Sequence, residues 1–184
     1  MATNINLQPD LLEDGIVSVK PLTETDFERL FAVAADPLIW ELHPNHDRYK
    51  REVFQIFFDG AVASKTAFLV FDNATNQLIG STRYYAYNAE RSEVAIGFSF
   101  LSRKYWGGHY NRAIKTLLLD HAFGFVDTVL FHIGAGNLRS QRATAKFGAQ
   151  KIREMNLDPT TKIAADYEYH LLKKDWMEAK TRRP

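Results

Sequence analysis

A strand that runs through two glycines into a helix constrains this chain more than any other feature. The apolar stretch at residues 94–100 predicts the strand, Gly107-Gly108 form the turn, and helical spacing begins at Tyr110. A strand at residues 128–133 and a helix from residue 138 follow directly. Two such steps in succession predict strand–helix–strand crossovers within a sheet.

The remaining patterns extend these crossovers into a larger sheet. A helix with a Thr25/Glu28 capping box ends before Asp36-Pro37, and a second helix is predicted at residues 48–64. The other predicted strands lie at residues 16–20, 67–71, 78–87, 151–154 and 167–172. We expect a mixed α/β sheet of α+β type with antiparallel hairpins. It forms one domain over residues 1–184, with a loose N-terminal arm at residues 1–14.

Composition excludes several classes of function. The formal net charge of +1 lacks the basic excess of a protein that binds nucleic acid or a membrane surface. There is no cysteine, and the six histidines form no metal-ligand pair; His121 and His132 lie in apolar segments, as hydrogen-bonded core residues would. No apolar run reaches membrane-spanning length, and the N-terminus lacks a signal-peptide pattern. We expect a cytoplasmic protein without a metal.

The glycine pair at the start of a helix predicts an anion site. The first N–H groups of a helix have no intrahelical acceptor and lie at the positive end of its dipole, which suits a pyrophosphate. Because a strand and a polar turn follow at once, the pattern favours a nucleotide that carries a thioester. The expected contacts are Trp106, Gly107, Gly108, His109, Tyr110, Asn111 and Arg112.

These motifs resemble those of the GNAT superfamily of acyl-CoA-dependent N-acyltransferases, and of its RimJ/RimL-like branch in particular. Residues 95–100 stand where that branch has a Glu-Ile-Gly-Tyr-Trp-like strand, and residues 105–111 where it has Tyr-Trp-Gly-x-Gly-x-Ala. Residues 137–140, Asn-Leu-Arg-Ser, and residues 146–149, Lys-Phe-Gly-Ala, match Asn-x-x-Ser and Lys-Leu-Gly-Phe. The resemblance spans residues 17–176.

The chain departs from the branch at a few positions. His109 and Asn111 replace the second glycine and the small residue of the loop. Ala95 replaces the strand glutamate, while Glu93 lies two residues earlier on the same face. The family's tyrosine acid would fall at Thr144, which gives weight to a serine as the acid.

The resemblance implies acetyl-CoA as co-substrate, bound where residues 94–100 and 128–133 splay apart in a mostly antiparallel sheet. It places Phe98, Ser99 and Phe100 at the thioester, with a backbone N–H on the carbonyl oxygen. Asn111 and Lys115 would bind phosphate or ribose. Asn137 would hold the pantetheine amide or the turn that presents Ser140.

The resemblance also implies the acid, the base and the acceptor pocket. Ser140 would protonate the departing thiolate, and Glu93 or a water chain would take the amine proton. Trp40, His43 and residues 84–87, with Tyr84 first among them, either line an acceptor pocket or pack in the core.

The implied reaction is direct acetyl transfer in a ternary complex. The acceptor is a primary amine, either a protein N-terminal amine or a small molecule such as an amino acid, a polyamine or an antibiotic. A different acyl donor and a non-catalytic acyl-CoA sensor of the same fold remain as alternatives, and a homodimer is left open.

Overall fold

The fold centres on one eight-stranded sheet in the order β1-β2-β3-β4-β5-β6-β8-β7. It is seen in a computed structural model that describes residues 5–155 and 167–181. The strands are Leu12–Glu13 (β1), Val17–Pro21 (β2), Ala67–Asp72 (β3), Gln77–Asn88 (β4), Glu93–Leu101 (β5), Thr128–Ile133 (β6), Gln150–Glu154 (β7) and Tyr167–Leu172 (β8). The helices of the described residues are Phe27–Ala34 (α1), Arg51–Ser64 (α2), Tyr110–Ala122 (α3), Leu138–Ala145 (α4) and Lys173–Thr181 (α5).

The sheet opens between its two central strands. β5 and β6 form the parallel pair, and their register runs only from Glu93↔Thr128 to Ala95↔Leu130. Beyond that point β5 continues to Leu101 and β6 to Ile133 without pairing to each other. The predicted mixed, mostly antiparallel sheet with a splay between these strands is confirmed.

Two apolar clusters cover the two faces of the sheet. Leu118 and Leu119 of α3 pack with Ile96 on one face. Phe54 of α2 packs with Phe100 on the other. Strict alternation along β5 would place Ile96 and Phe100 on one face, but a bulge between them, where the β4–β5 register shifts, turns them to opposite faces.

Residues 5–14 are not a loose arm. β1 pairs with β2, the Gln8 side-chain amide donates to the Ala67 carbonyl at 2.7 Å, and Leu7 and Leu12 pack against the core. Burial of Leu7 and Leu12 offsets the entropy cost of ordering this segment. The polar residues around them hide this contribution in the sequence.

Two further local features differ from the sequence prediction. The capping box lies two residues earlier than Thr25/Glu28, since the Thr23 N–H donates to the Asp26 carboxylate at 2.7 Å. Helix α5 follows β8 directly, and its buried Trp176 donates its indole N–H to Asp120 at 2.8 Å. None of the described helices is long and apolar enough to cross a bilayer.

Candidate active site

A cleft of about 1230 Å³ opens where β5 and β6 separate. Its walls are the outer half of β5, the first turns of α3 and α4, and the segment that precedes α2. Most residues that the sequence assigns to a site line it: Trp40, His43, Phe98, Ser99, Phe100, Trp106, Gly107, Gly108, Asn111, Arg112, Lys115, Asn137 and Ser140. The separate motifs thus meet around one cavity.

One part of the cleft, the loop end, consists of residues 106–112 and the start of α4. Gly107 has a φ of +71°, a left-handed conformation that favours glycine, whereas Gly108 does not. Helix α3 begins without a side-chain cap, so its first N–H groups are free for a ligand beside Asn111 and Arg112. The loop end therefore offers backbone donors and positive charge to an anion.

Cationic side chains surround the loop end. Arg139, Arg142 and Lys146 line the cleft near Arg112. The Arg139 guanidinium lies 3.7 Å from the centre of a Trp106 ring, and the Trp106 indole N–H donates to the Leu101 carbonyl at 2.9 Å. The indole thus connects the loop to β5 and carries one of the cations.

Ser140 is presented by the cap of α4. The Asn137 side-chain oxygen accepts from the Ser140 N–H at 3.1 Å, which fixes the first turn of the helix. The Ser140 hydroxyl lines the cleft and forms no hydrogen bond with the described residues. It is free to donate to a bound group.

Lys115 lies deeper than its predicted role in phosphate or ribose binding suggests. It is buried, and its ammonium donates to the Ser99 hydroxyl at 2.8 Å, which contacts the Thr82 hydroxyl at 2.8 Å. Burial lowers the pKa of Lys115 from 10.5 to about 7. At neutral pH this side chain changes charge within the cleft.

The opposite part of the cleft, the aromatic end, consists of Trp40, His43, Arg48, Phe98 and Phe100. The Trp40 and Phe100 rings lie 5.0 Å apart, and Arg48 lies against Trp40 with its guanidinium 5.6 Å from the ring centre. Phe98 has a φ of 51° at the bulge where the β4–β5 register shifts. The bulge brings both phenylalanines of β5 to the face covered by α2.

A chain of hydrogen bonds, which we call the relay, reaches the cleft at His132. The Tyr85 hydroxyl contacts His132 Nδ1 at 2.7 Å, and His132 Nε2 contacts the Glu168 carboxylate at 3.2 Å. Arg153 and His170 also bond to Glu168, at 2.9 and 2.8 Å. The expectation that His132 is hydrogen-bonded is confirmed, although it also borders the cleft.

The electrostatics of the relay favour a neutral imidazole beside a carboxylate. Burial lowers the pKa of His132 despite its bond to Glu168. Burial alone would raise the pKa of Glu168, but the hydrogen bonds from Arg153, His170 and His132 together lower it to about 2. His132 can therefore accept a proton next to a fixed negative charge.

The structure does not bring Glu93 or Tyr84 to the cleft. Glu93 begins β5, five residues or roughly 17 Å from the bulge at Phe98, and its carboxylate lies 3.6 Å from Arg91. Tyr84 is fully buried and donates its hydroxyl to the Leu118 carbonyl. Strand alternation turns Tyr85, rather than Tyr84, toward the α2 side. Contrary to the expectation from the sequence, neither Glu93 nor Tyr84 lines the cleft.

His109 and Tyr110 also point away from the cleft. Their rings stack 4.6 Å apart, and the Tyr110 hydroxyl donates to Asp72 at 3.3 Å. Their backbone N–H groups, rather than their side chains, are the parts that a ligand at the loop end can use.

Residues 17–150 match the family model of the acetyltransferase (GNAT) domain. The chain belongs to the GNAT acetyltransferase family. Solved structures share its fold over nearly the whole chain. A GCN5-related N-acetyltransferase from Brucella melitensis superposes with a TM-score of 0.78 at 18% identity, over 97% of this chain and 87% of that one.

Two GNAT-like neighbours from Vibrio cholerae have named substrates of their own. A proposed ribosomal-protein-serine acetyltransferase has a TM-score of 0.73 at 17% identity, over 90% of this chain and 99% of that one. A spermidine N-acetyltransferase, solved with CoA and spermine, has a TM-score of 0.66 at 12% identity, over 89% and 99%. At these identities the likeness extends to the fold alone. No curated protein sequence matches this chain significantly.

The residues of this GNAT cleft fit an acyl-CoA. The loop end supplies free backbone N–H groups and four cationic side chains, which suit phosphates, and the parted strands leave room for a narrow arm. Sequence reasoning missed Arg48 and Glu168, and placed His132 in the core. The spacing of five residues between His43 and Arg48 does not by itself predict their contact. Glu168 and His170 alternate on β8, and this alternation is the sequence pattern that indicates the relay.

Proposed function

We propose that this GNAT protein is an acetyl-CoA-dependent N-acetyltransferase of the RimJ/RimL-like type. It moves an acetyl group directly to a primary amine within a ternary complex. The observation that carries the proposal is a single cleft with an anion-binding loop end, an aromatic end, and parted strands between them. Substrates that enter from the two ends meet at the bulge of β5.

The main contribution of the protein is to align the two substrates. Acyl-CoA supplies the activated acetyl group as a thioester when bound. The N–H groups of residues 107–112, with Arg112, hold its phosphates. A backbone N–H of the bulge at Phe98–Phe100 polarises the carbonyl oxygen. Alignment of two bound reactants converts a bimolecular step into an oriented one.

Two proton movements complete the proposal. Ser140 gives a proton to the departing thiolate, for which its unbonded hydroxyl is suited. The relay takes the amine proton where it borders the cleft: His132 Nδ1 accepts the proton, and the Tyr85 hydroxyl, which contacts that nitrogen, orients the ring. Glu168 then stabilises the resulting imidazolium.

The relay is a better candidate for the base than Glu93. His132 borders the cleft, while Glu93 does not. The pKa of Tyr85 is raised by burial, so its hydroxyl stays protonated at rest and acts only through its contact with His132.

The test is thiol release from acetyl-CoA by the purified protein in the presence of amines, with mass spectrometry of the products. We expect an amine-dependent release and an amide product. Acetyl-CoA should also raise the melting temperature by ligand linkage. A melting shift without product for any amine would support the acyl-CoA sensor instead.

A further inference from the structure

The charges around the cleft indicate the chemistry of the amine acceptor, on the basis of the proposed function. The described residues that line the cleft include six lysines and arginines, Arg48, Arg112, Lys115, Arg139, Arg142 and Lys146, and no aspartate or glutamate. The chain as a whole has a formal net charge of only +1, so this imbalance is local.

Arg48 stands apart from the other cations of the cleft. It lies at the aromatic end, sandwiched against Trp40 and Phe57, with its guanidinium 4.7 Å from the Phe57 ring centre. Only 9% of its surface is exposed. Since the loop end already holds cations for phosphates, Arg48 is not needed for them.

Arg48 has no carboxylate partner among the described residues. Its one polar side-chain contact among the described residues is with His43 Nε2, at 3.2 Å. Burial, and then the nearby charge of Arg83, lower the pKa of Arg48 to about 10, although the charge of Asp47, which lies beyond salt-bridge distance, acts in the opposite direction. A buried guanidinium normally has an anionic partner, because removal from water without one is costly.

His43 adds a second donor at the same point. Its Nδ1 accepts from the Asn45 N–H at 2.9 Å, so a neutral imidazole carries its hydrogen on Nε2, toward Arg48. Burial and the charge of Arg48 lower the pKa of His43 to about 3, which keeps the ring neutral. The two donors therefore lie side by side, 3.2 Å apart, and neither has an acceptor among the described residues.

Arg83 provides positive charge behind this position. Its guanidinium lies 3.6 Å from the Phe98 ring centre, it donates to the Gly60 carbonyl, and its buried Nε has no hydrogen-bond partner. Phe57 and Phe98 separate the two arginines, with ring centres 6.1 Å apart. The aromatic end is thus a donor-rich and acceptor-poor surface beside the bulge of β5.

We propose that the acceptor carries a carboxylate close to its primary amine, and that Arg48 with His43 binds this carboxylate. A planar guanidinium fixed between two rings suits a carboxylate in two-point contact. The amine then lies toward the bulge and His132. A polyamine would place a second ammonium against Arg48, so this class of acceptor is excluded from the aromatic end.

Matched acceptors test the proposal in the acetyl-CoA assay. Alanine, alaninamide and 1,2-diaminopropane differ at the group beside the amine, while the peptide amides Ala-Glu-Ala and Ala-Lys-Ala differ in the neighbouring side chain. In one of the two sets, we expect kcat/KM for the acceptor that carries the carboxylate, alanine or the Ala-Glu-Ala amide, to exceed that of the others by on the order of tenfold to a hundredfold. A preference for alanine within the first set indicates that the acceptor is an amino acid. A preference for the Ala-Glu-Ala amide within the second set indicates an acidic peptide.

Variants of Arg48 test whether this residue causes the preference for carboxylate acceptors. Arg48→Gln should abolish the preference and raise KM for the carboxylate acceptor, with the CoA-induced melting shift unchanged. If that variant does not fold, Arg48→Lys keeps the charge but not the planar fork, and should retain a reduced preference. Arg51→Gln, which removes a surface charge of α2 paired with Glu28, should change nothing.

The possible failures are distinguishable. Efficient acetylation of the diamine but not of either carboxylate acceptor overturns this inference and leaves the acetyltransferase proposal intact. An unchanged preference in a folded Arg48→Gln overturns the role of Arg48. If no amine is acetylated, the proposed function fails, and calorimetric titration of the CoA-bound protein with alanine and the Ala-Glu-Ala amide still decides this inference. Binding weakened in Arg48→Gln supports it, and absent or unchanged binding overturns it.

Discussion

The two ends of the cleft differ in whether backbone groups or side chains form them. The loop end uses backbone from the starts of two helices: Gly107 with the first turn of α3, and the capped start of α4. The aromatic end uses side chains that come from distant segments, such as Trp40, Arg48 and Phe98. Backbone donors suit a ligand part that is constant, whereas side chains are free to vary with the ligand. Under the proposed function, the donor binds at the loop end and the acceptor at the aromatic end.

The largest effect is expected where both substrates meet. Ser140→Ala removes the proposed acid, so kcat should fall on the order of tenfold to a thousandfold with little change in CoA affinity. Turnover by thiol release and CoA binding by calorimetry measure the two quantities. An equal loss in both would mean that Ser140 serves binding rather than chemistry.

The relay and Glu93 can be separated by a pair of variants. Tyr85→Phe keeps the ring but removes the hydroxyl that contacts His132, so kcat should fall roughly tenfold to a hundredfold. Glu93→Gln, outside the cleft, should retain the rate of the parent. In the parent, the rate should fall as the pH drops through the lowered pKa of His132, because the protonated ring accepts no proton. The opposite ranking of the two variants would restore Glu93 as the base.

The loop end should respond to backbone strain. Gly107→Val forces a β-branched residue into a left-handed conformation, at a cost of about 1–3 kcal/mol, and should weaken CoA binding roughly tenfold or more. Gly108→Ala is the matched control, because its added carbon meets only Tyr110 at 3.9 Å. Calorimetry with CoA measures both. Equal weakening by the two variants would contradict the assignment of the strain to Gly107.

A smaller effect concerns stability against pH at Lys115, which lies between the two ends. Its pKa is lowered in the folded protein, so the unfolded chain binds more protons between about pH 7 and 10. Stability should therefore rise with pH in that window, by about 1–3 kcal/mol from pH 7 to 9. Urea unfolding of the parent and of Lys115→Met measures it. The same pH dependence in both proteins would show that Lys115 is not the source.

The sequence predicts the loop end far better than the aromatic end. The glycine turn and the Asn137 cap are consequences of neighbouring residues, so local patterns reveal them. The relay joins β4, β6 and β8, and only strand pairing brings these together. A one-residue choice on β4 decides which tyrosine contacts His132, and a run of adjacent tyrosines does not reveal it.

Two-substrate kinetics test the division of the cleft most directly. Initial rates are measured with acetyl-CoA and the preferred amine varied together, in the parent, Gly107→Val and Arg48→Gln. The account predicts intersecting lines for the parent, as for direct transfer in a ternary complex. Gly107→Val should raise mainly the KM for acetyl-CoA, and Arg48→Gln mainly that for the amine. Parallel lines, or variants that raise both constants equally, would contradict a cleft with one end for each substrate.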